Sequence, residues 1–194
     1  SPEITETPLS DWVTDFAEPI IRIIDEHHAN ASSNFDQYPH WLKVTDCPEF
    51  KVPKAVDGEL IWDQFCPLKL DRWYTDFVID MQVRHLNPSS EENDRFTFTF
   101  RNGGGTCDFS TNGEVRCNGM LHPLLVNHTA QWPTDPYRIR FIVQESEYAL
   151  FINDQPFYHG SLPSGYKSGE IGWWPGGVAF DDMTIWDLNN LIKP

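Results

Sequence analysis

Two periodicities divide the chain. Between residues 12 and 27, Trp12, Phe16, Ile20, Ile23 and His27 fall at helical spacing, with Val13, Ala17, Ile21 and Ile24 beside them. That stripe predicts an amphipathic helix, and Ser10 and Asp11 offer it an N-cap. Pro19 has no amide hydrogen, so the helix is expected to kink there or to divide in two. From about residue 59 the period becomes two. Residues 59–65, 72–84, 94–101, 106–110, 114–117, 137–143, 147–153, 170–174 and 178–188 read as strands. Turn signals separate them: Asn87-Pro88, Asn102-Gly103-Gly104-Gly105, Asn112-Gly113, Asn153-Asp154, Pro163-Ser164-Gly165 and Pro175-Gly176-Gly177. The expected fold is all-β, an antiparallel two-sheet β-sandwich of jelly-roll type with an N-terminal helix. Residues 1–9 form a Pro/Thr/Glu tail, 10–30 the helix and 31–194 the sandwich domain.

Alternation also sorts the faces. In the strand read over 72–84, Trp73, Thr75, Phe77, Ile79, Met81 and Val83 should point inward. Arg72, Tyr74, Asp76, Val78, Asp80, Gln82 and Arg84 should point outward. Phe96, Phe98 and Phe100 go in, while Arg95, Thr97, Thr99 and Arg101 go out. Tyr137, Ile139, Phe141 and Val143 go in, with Arg138 and Arg140 outside. Six of the eight arginines thus fall on outward strand faces, near Asp76 and Asp80. They suit either cross-strand charge pairs on a solvated face or a polar groove that reads hydroxyls or carboxylates. Trp173 and Trp174 are neighbours in one strand, so one of them must look outward.

Composition narrows the functions. A chain of 194 residues fits one domain. Fourteen Lys and Arg against 29 Asp and Glu give a net charge of −15, which disfavours nucleic acid or an anionic membrane as partner. No apolar run approaches the ~20 residues of a membrane span. Aromatics at 14% exclude a disordered acidic tail. The four cysteines, Cys47, Cys66, Cys107 and Cys117, form no C-x-x-C pair. If Thr111, Asn112 and Gly113 make a three-residue hairpin loop, Cys107 faces Cys117 at disulfide distance, and Cys47–Cys66 follows by elimination. The other reading is four buried thiols. Two sequons, at Asn30 and Asn127, suit glycosylation and export. The start at Ser1 suits an extracellular or cell-surface protein whose signal peptide has been removed.

Few residues group in a way that suggests catalysis. Glycoside hydrolysis needs two carboxyls ~5–5.5 Å apart, or ~6.5–9.5 Å for inversion. Asp76 and Asp80 share a face but lie four strand residues apart, roughly 13 Å. Glu145 and Glu147 sit at a hairpin tip, open to water. There is no G-x-S-x-G, and the seven histidines show no metal spacing. Glycan binding needs exposed rings with polar neighbours. Tyr74, Trp132, Tyr158, Tyr166 and Trp174 are the candidate platforms, with Arg138 and Arg140 as candidate polar partners. The helical stripe of Trp12, Phe16, Ile20 and Ile23 must bury against its own domain or dock on another copy of the chain.

Longer stretches resemble a known family. Asn34-Phe35-Asp36 with Trp41, and Val56-Asp57-Gly58-Glu59-Leu60, resemble the opening of a concanavalin A-like, laminin-G-like jelly roll. Tyr74-Thr75-Asp76-Phe77-Val78-Ile79-Asp80-Met81-Gln82-Val83 resembles the long strand that follows. Tyr137-Arg138-Ile139-Arg140-Phe141-Ile142-Val143 and Tyr148-Ala149-Leu150-Phe151-Ile152-Asn153-Asp154-Gln155-Pro156-Phe157 are similar to its hairpin. There Asn153-Asp154 stands where Asn-Gly is common. Gly169-Glu170-Ile171-Gly172-Trp173-Trp174 and Val178-Ala179-Phe180-Asp181-Asp182-Met183-Thr184-Ile185 resemble the closing strands. The resemblance covers about residues 34–188. The helix with Trp12, Phe16, Ala17, Glu18 and Pro19 is similar to a leader found before such modules in exported bacterial proteins.

The resemblance implies the jelly-roll fold and a range of functions. Relatives include glycan-binding modules, adhesive ectodomains, glycoside hydrolases and sugar-cleaving domains of the 3-keto-disaccharide type. The Glu-x-Asp-x-x-Glu-like motif of the glucanases is missing here. Family members sometimes hold calcium at loop edges, which makes Asp181 and Asp182 candidate ligands; no other cofactor is expected. The expected role is non-catalytic, as an extracellular module for glycan recognition or adhesion. The alternatives are a subunit of an extracellular fibre docking through its N-terminal segment, and a glycoside-cleaving enzyme.

Overall fold

The computed structural model describes residues 11–45, 53–62, 66–86, 95–110, 114–119, 122–129, 136–174 and 177–192. Its strands are β1 (Ala31–Ser33), β2 (Leu42–Val44), β3 (Lys54–Val56), β4 (Glu59–Trp62), β5 (Leu68–Leu70), β6 (Phe77–His85), β7 (Arg95–Phe100), β8 (Gly105–Ser110), β9 (Glu114–Gly119), β10 (His122–Thr129), β11 (Tyr137–Gln144), β12 (Glu147–Ile152), β13 (Gln155–Ser161), β14 (Gly172–Trp174) and β15 (Val178–Asp187). Two helices flank them, α1 (Glu18–Asp25) and α2 (Leu188–Ile192). One sheet has eight strands in the order β13-β12-β11-β6-β15-β4-β3, with β1 paired to β15. The other has seven, in the order β10-β9-β8-β7-β14-β5-β2. Every pairing among the described strands is antiparallel.

Alternation builds the core between the sheets. Phe96, Phe98 and Phe100 of β7 are fully buried, as are Ile139, Phe141 and Val143 of β11. Phe98 stacks on Phe141 from the opposite sheet at 4.3 Å between ring centroids. Trp173 is buried beside them, 5.5 Å from Phe98. Cys107 stands opposite Cys117 across β8 and β9 and is bonded to it, with Cα atoms 4.2 Å apart. Cys66 is also disulfide-bonded. Cys47, Trp132, residues 1–9 and the side chain of Asn127 lie outside the described residues. Among the described residues, no helix is long and apolar enough to cross a membrane.

The expected long strand over 72–84 starts only at Phe77. Leu70 donates its amide to the Ile171 carbonyl, and Tyr74 bridges Gly169. Residues 71–73 therefore stand against Glu170 alone. With two extra residues the bulge keeps the side alternation of β5; the parity changes between Tyr74 and Phe77, three residues apart and both buried, where the chain passes from the seven-stranded to the eight-stranded sheet. Trp73, expected in the core, is 67% exposed, and Tyr74, expected outside, is 4% exposed. Arg101 is a second inversion. It leaves β7 in a turn with φ 51°, and its side chain is 1% exposed.

Pro19 leaves its mark on the helix. Its ring crowds the carbonyl four residues back and supplies no donor. The ladder widens into a π-helical turn, Val13–Ala17, with the Glu18 amide reaching the Val13 carbonyl, before α1 continues as a regular helix. The stripe faces the chain's own sandwich. Ala17, Ile20 and Ile24 pack on Val78, Ile142, Ala149 and Phe151 of the eight-stranded sheet and on Leu188. Trp12 stacks on His159 at 5.2 Å, and Phe16 lies 5.1 Å from the same ring. Trp12, Phe16 and Ile20, proposed above for docking on another copy, are thus turned to an intramolecular surface, with Ile23 half-buried next to them. The physical reason is the row of outward apolar residues, Val78, Ile142 and Ala149, which lie in register across β6, β11 and β12 and need a cover. Ile20→Ala should therefore lower stability by about 2–4 kcal/mol, read by urea or thermal unfolding. A change below about 0.5 kcal/mol, the scale of surface substitutions, would mean that the helix is not docked.

Candidate functional site

The outer face of the seven-stranded sheet carries a shallow cavity of about 380 Å³. Gly172 makes its floor. It lies in register with Lys69 on β5 and Thr99 on β7. A side chain there would fill the space: a Cβ would stand 2.8 Å from the Leu68 carbonyl, 3.5 Å from Lys69 Cγ and 3.6 Å from Thr99 Oγ1. Two residues on, Trp174 points the same way and is 54% exposed, opposite Thr97. Thr106 of β8 stands beside Thr99. The turn at Asn102 and Gly103 closes the other end, where Asn102 Oδ1 accepts from the Glu170 amide at 2.9 Å.

Charge is placed in pairs on this face. Lys69 Nζ donates to Glu170 Oε2 at 2.9 Å, and both side chains keep contact with water. Thr97 Oγ1 donates to Asp108 Oδ1 at 2.5 Å, with Arg116 next in register. The cavity thus combines an exposed indole, two threonine hydroxyls, an ammonium and a carboxylate around a floor without a side chain. Such a set can stack against an apolar ring face and exchange hydrogen bonds with hydroxyls. Among the described residues lining it, Glu170 is the single carboxylate.

The candidates named from sequence do not converge. Trp174 alone lines this cavity. Tyr74 is buried, 6.2 Å from Phe77. Tyr158 packs against Tyr148 at 5.5 Å, on the inner side. Tyr166 lies over Gly104, where a Cβ would meet its ring, and lines a different cavity of about 440 Å³ with Asp76, Glu145 and Pro163. Arg138 and Arg140 stand on the eight-stranded sheet, on the far side of the molecule. Both clamp Asp80: Arg138 Nε and Nη2 lie 2.5 and 2.9 Å from its oxygens, and Arg140 Nε lies 2.8 Å away. The Asp80 hydrogen bond holds the Arg138 guanidinium above its usual range. These arginines offset a buried carboxylate, so the solvated face of charge pairs is the reading that fits them.

Asp181 pairs with Gln82, and Asp182 and Met183 form the bulge that follows in β15, with Asp182 at φ 46° and its amide donating to Asp181 Oδ1 at 2.7 Å. Among the described residues, no three acidic, His or Cys side chains converge as metal ligands. Burial raises the Asp181 carboxyl, and Asp182, Glu59 and Asp36 add to the rise, while the hydrogen bond from the Asp182 amide opposes it. A raised folded-state pKa gives stability that is complete below the unfolded pKa and lost as pH climbs through the folded one. Asp181→Asn should therefore raise Tm at neutral pH, and the difference should close as pH falls below the ordinary aspartate range. A lower Tm for the variant, seen only with calcium present, would instead mark a calcium site.

Sequence reading does not single out Lys69, Thr99 or Gly172 as site residues. One signal was available. Leu68-Lys69-Leu70 after Pro67 is a three-residue alternation, and it is β5.

Solved structures share this architecture. A protein of unknown function with galectin-like fold from Bacillus subtilis superposes with TM-score 0.60 at 10% identity, covering 83% of this chain and 96% of that one. A Bacillus licheniformis β-glucanase superposes with TM-score 0.58 at 10% identity, covering 82% and 98%. The chain has their jelly-roll sandwich. A carbohydrate-binding module, CBM66 from Bacillus subtilis, matches at TM-score 0.52 and 10% identity over 66% and 85%. At these identities the likeness is one of fold. No protein-family model and no curated protein matches the sequence.

Proposed function

We propose that the protein is an extracellular glycan-binding module whose binding face is the outer side of the seven-stranded sheet. The observation that carries this is Trp174. A large indole is held in water at the edge of a cavity whose floor, Gly172, has no side chain, with Lys69, Glu170 and Thr99 around it. Exposed aromatic anchors with polar neighbours are the usual form of a recognition hot spot. The fold neighbours add support, since a carbohydrate-binding module, galectins and a β-glucanase are among them. The two disulfide-bonded cysteines on β8 and β9 and the bonded Cys66 suit an oxidising compartment. Hydrolysis by paired acids would require a second carboxylate near Glu170. Binding therefore accounts for the residues around the cavity better than turnover. A glycan array probed with the pure protein tests the reading. Selective binding to a set of related glycans is expected, and signals no higher than those of a denatured control on every spot would end it.

A further inference from the structure

Trp174 lines the cavity from β14, and a second exposed tryptophan, Trp73, lies in the bulge that stands against Glu170, another of its lining residues. Seven tryptophans are described. Trp41, Trp62 and Trp173 are buried, and Trp12 and Trp186 are half-buried. Only Trp73 and Trp174 are exposed among them. Trp174 marks the end next to Thr97. Past Gly172 along the same chain segment, the bulge of residues 71–73 stands against Glu170, which lines the cavity. Tyr74 turns into the core, so Trp73, its neighbour along the chain, turns away from it. From Trp174 to Gly169, the bridge partner of Tyr74, is five residues of extended chain, about 16 Å.

We propose that Trp73 is a second stacking platform, and that the cleft between the two indoles holds an internal stretch of a linear oligosaccharide, not one terminal sugar. This rests on the glycan-binding reading of the cavity and adds chain length to it. Lys69, Glu170, Thr99 and Thr106 lie between the platforms and supply donors and acceptors to the hydroxyls of the intervening sugars. The change of sheets gives the placement its physical sense. A strand continuous with β6 would have sent Trp73 into the core, but the parity slips between Tyr74 and Phe77, so Trp73 keeps the alternation of β5, whose Leu68 and Leu70 turn inward, and comes to the surface.

The experiment is isothermal titration of the full chain with cello-, laminari-, xylo-, manno- and chito-oligosaccharides of two to six sugars. Wild type, Trp73→Ala and Trp174→Ala are compared, after near-UV circular dichroism shows each variant folded. For the series that binds, affinity is expected to rise with length and then level off. Trp73→Ala should remove that rise, about tenfold on the longest oligomer, the scale of one lost aromatic face, and leave the disaccharide unchanged. Affinity that is flat with length, or a Trp73→Ala titration equal to wild type while Trp174→Ala loses binding, overturns the second platform and leaves the cavity reading standing. Failure of every series to bind, or an unaffected Trp174→Ala, overturns both.

Discussion

Replacing Arg101 by methionine is expected to lower the unfolding free energy by about 3–5 kcal/mol, the range for removing one partner of a buried charge pair. The guanidinium ties four segments together. Nε and Nη2 donate to the Thr75 carbonyl at 3.0 and 2.6 Å, Nη1 to the carbonyls of Glu145 and Tyr166, and Nη2 to Asp76 Oδ1 at 3.0 Å. Asp76 Oδ1 in turn accepts the Glu145 amide at 2.8 Å. Methionine would fill much of the volume and leave three carbonyls and a carboxylate without this donor. Burial holds the Arg101 pKa below its usual value, with Asp76 opposing the shift, and a guanidinium stays charged regardless. Lysine should rescue little, because a single ammonium cannot reproduce the planar fork. The midpoint of thermal unfolding should fall by about 10 °C or more in a chain of this size. A loss under about 1 kcal/mol in urea titration would show that water replaces the guanidinium freely.

Trp174→Ala should have the opposite profile, with binding lost and stability kept. The indole is mostly in water, so its removal should change the unfolding free energy by no more than about 0.5 kcal/mol. Loss of a central aromatic anchor weakens recognition by about 2 kcal/mol or more, which is roughly thirtyfold in Kd. Trp174→Phe keeps a ring on the same strand position and should retain part of the affinity. If both variants bind as wild type does, the seven-stranded face is not the binding face. If Trp174→Ala unfolds at a much lower temperature, the ring is structural. The two substitutions together separate the residue that holds the loops from the residue that meets the ligand.

Alternation makes the sandwich legible in the sequence itself. The triplet Phe96, Phe98 and Phe100 and the set Ile139, Phe141 and Val143 point inward as read, and Cys107 stands opposite Cys117. Strands of three residues, such as β1, β2 and β3, are too short for a period to show. The candidate site was hidden for a related reason. Its floor and one wall come from β5 and β14, each three residues long. Trp174 was found because it adjoins Trp173 and two neighbours in a strand cannot share a face. Trp73 is misplaced because the parity slips between Tyr74 and Phe77, where the chain crosses from one sheet to the other.

Composition and local periodicity settle what one segment prefers: an amphipathic helix ahead of the sandwich, strands that are oily on one side, an acidic surface, turns at Asn and Gly. Those preferences depend on neighbours within a few residues. Pairing across the sheets depends on residues far apart in the chain. Gly172 becomes a cavity floor only because Lys69 and Thr99 flank it, more than seventy residues away in each case. Arg101 becomes a buried clamp only because carbonyls from residues 75, 145 and 166 converge on it. The helix settles on its own sandwich because Val78, Ile142 and Ala149, outward by alternation, lie side by side once β6, β11 and β12 pair, and burying that apolar row is favourable.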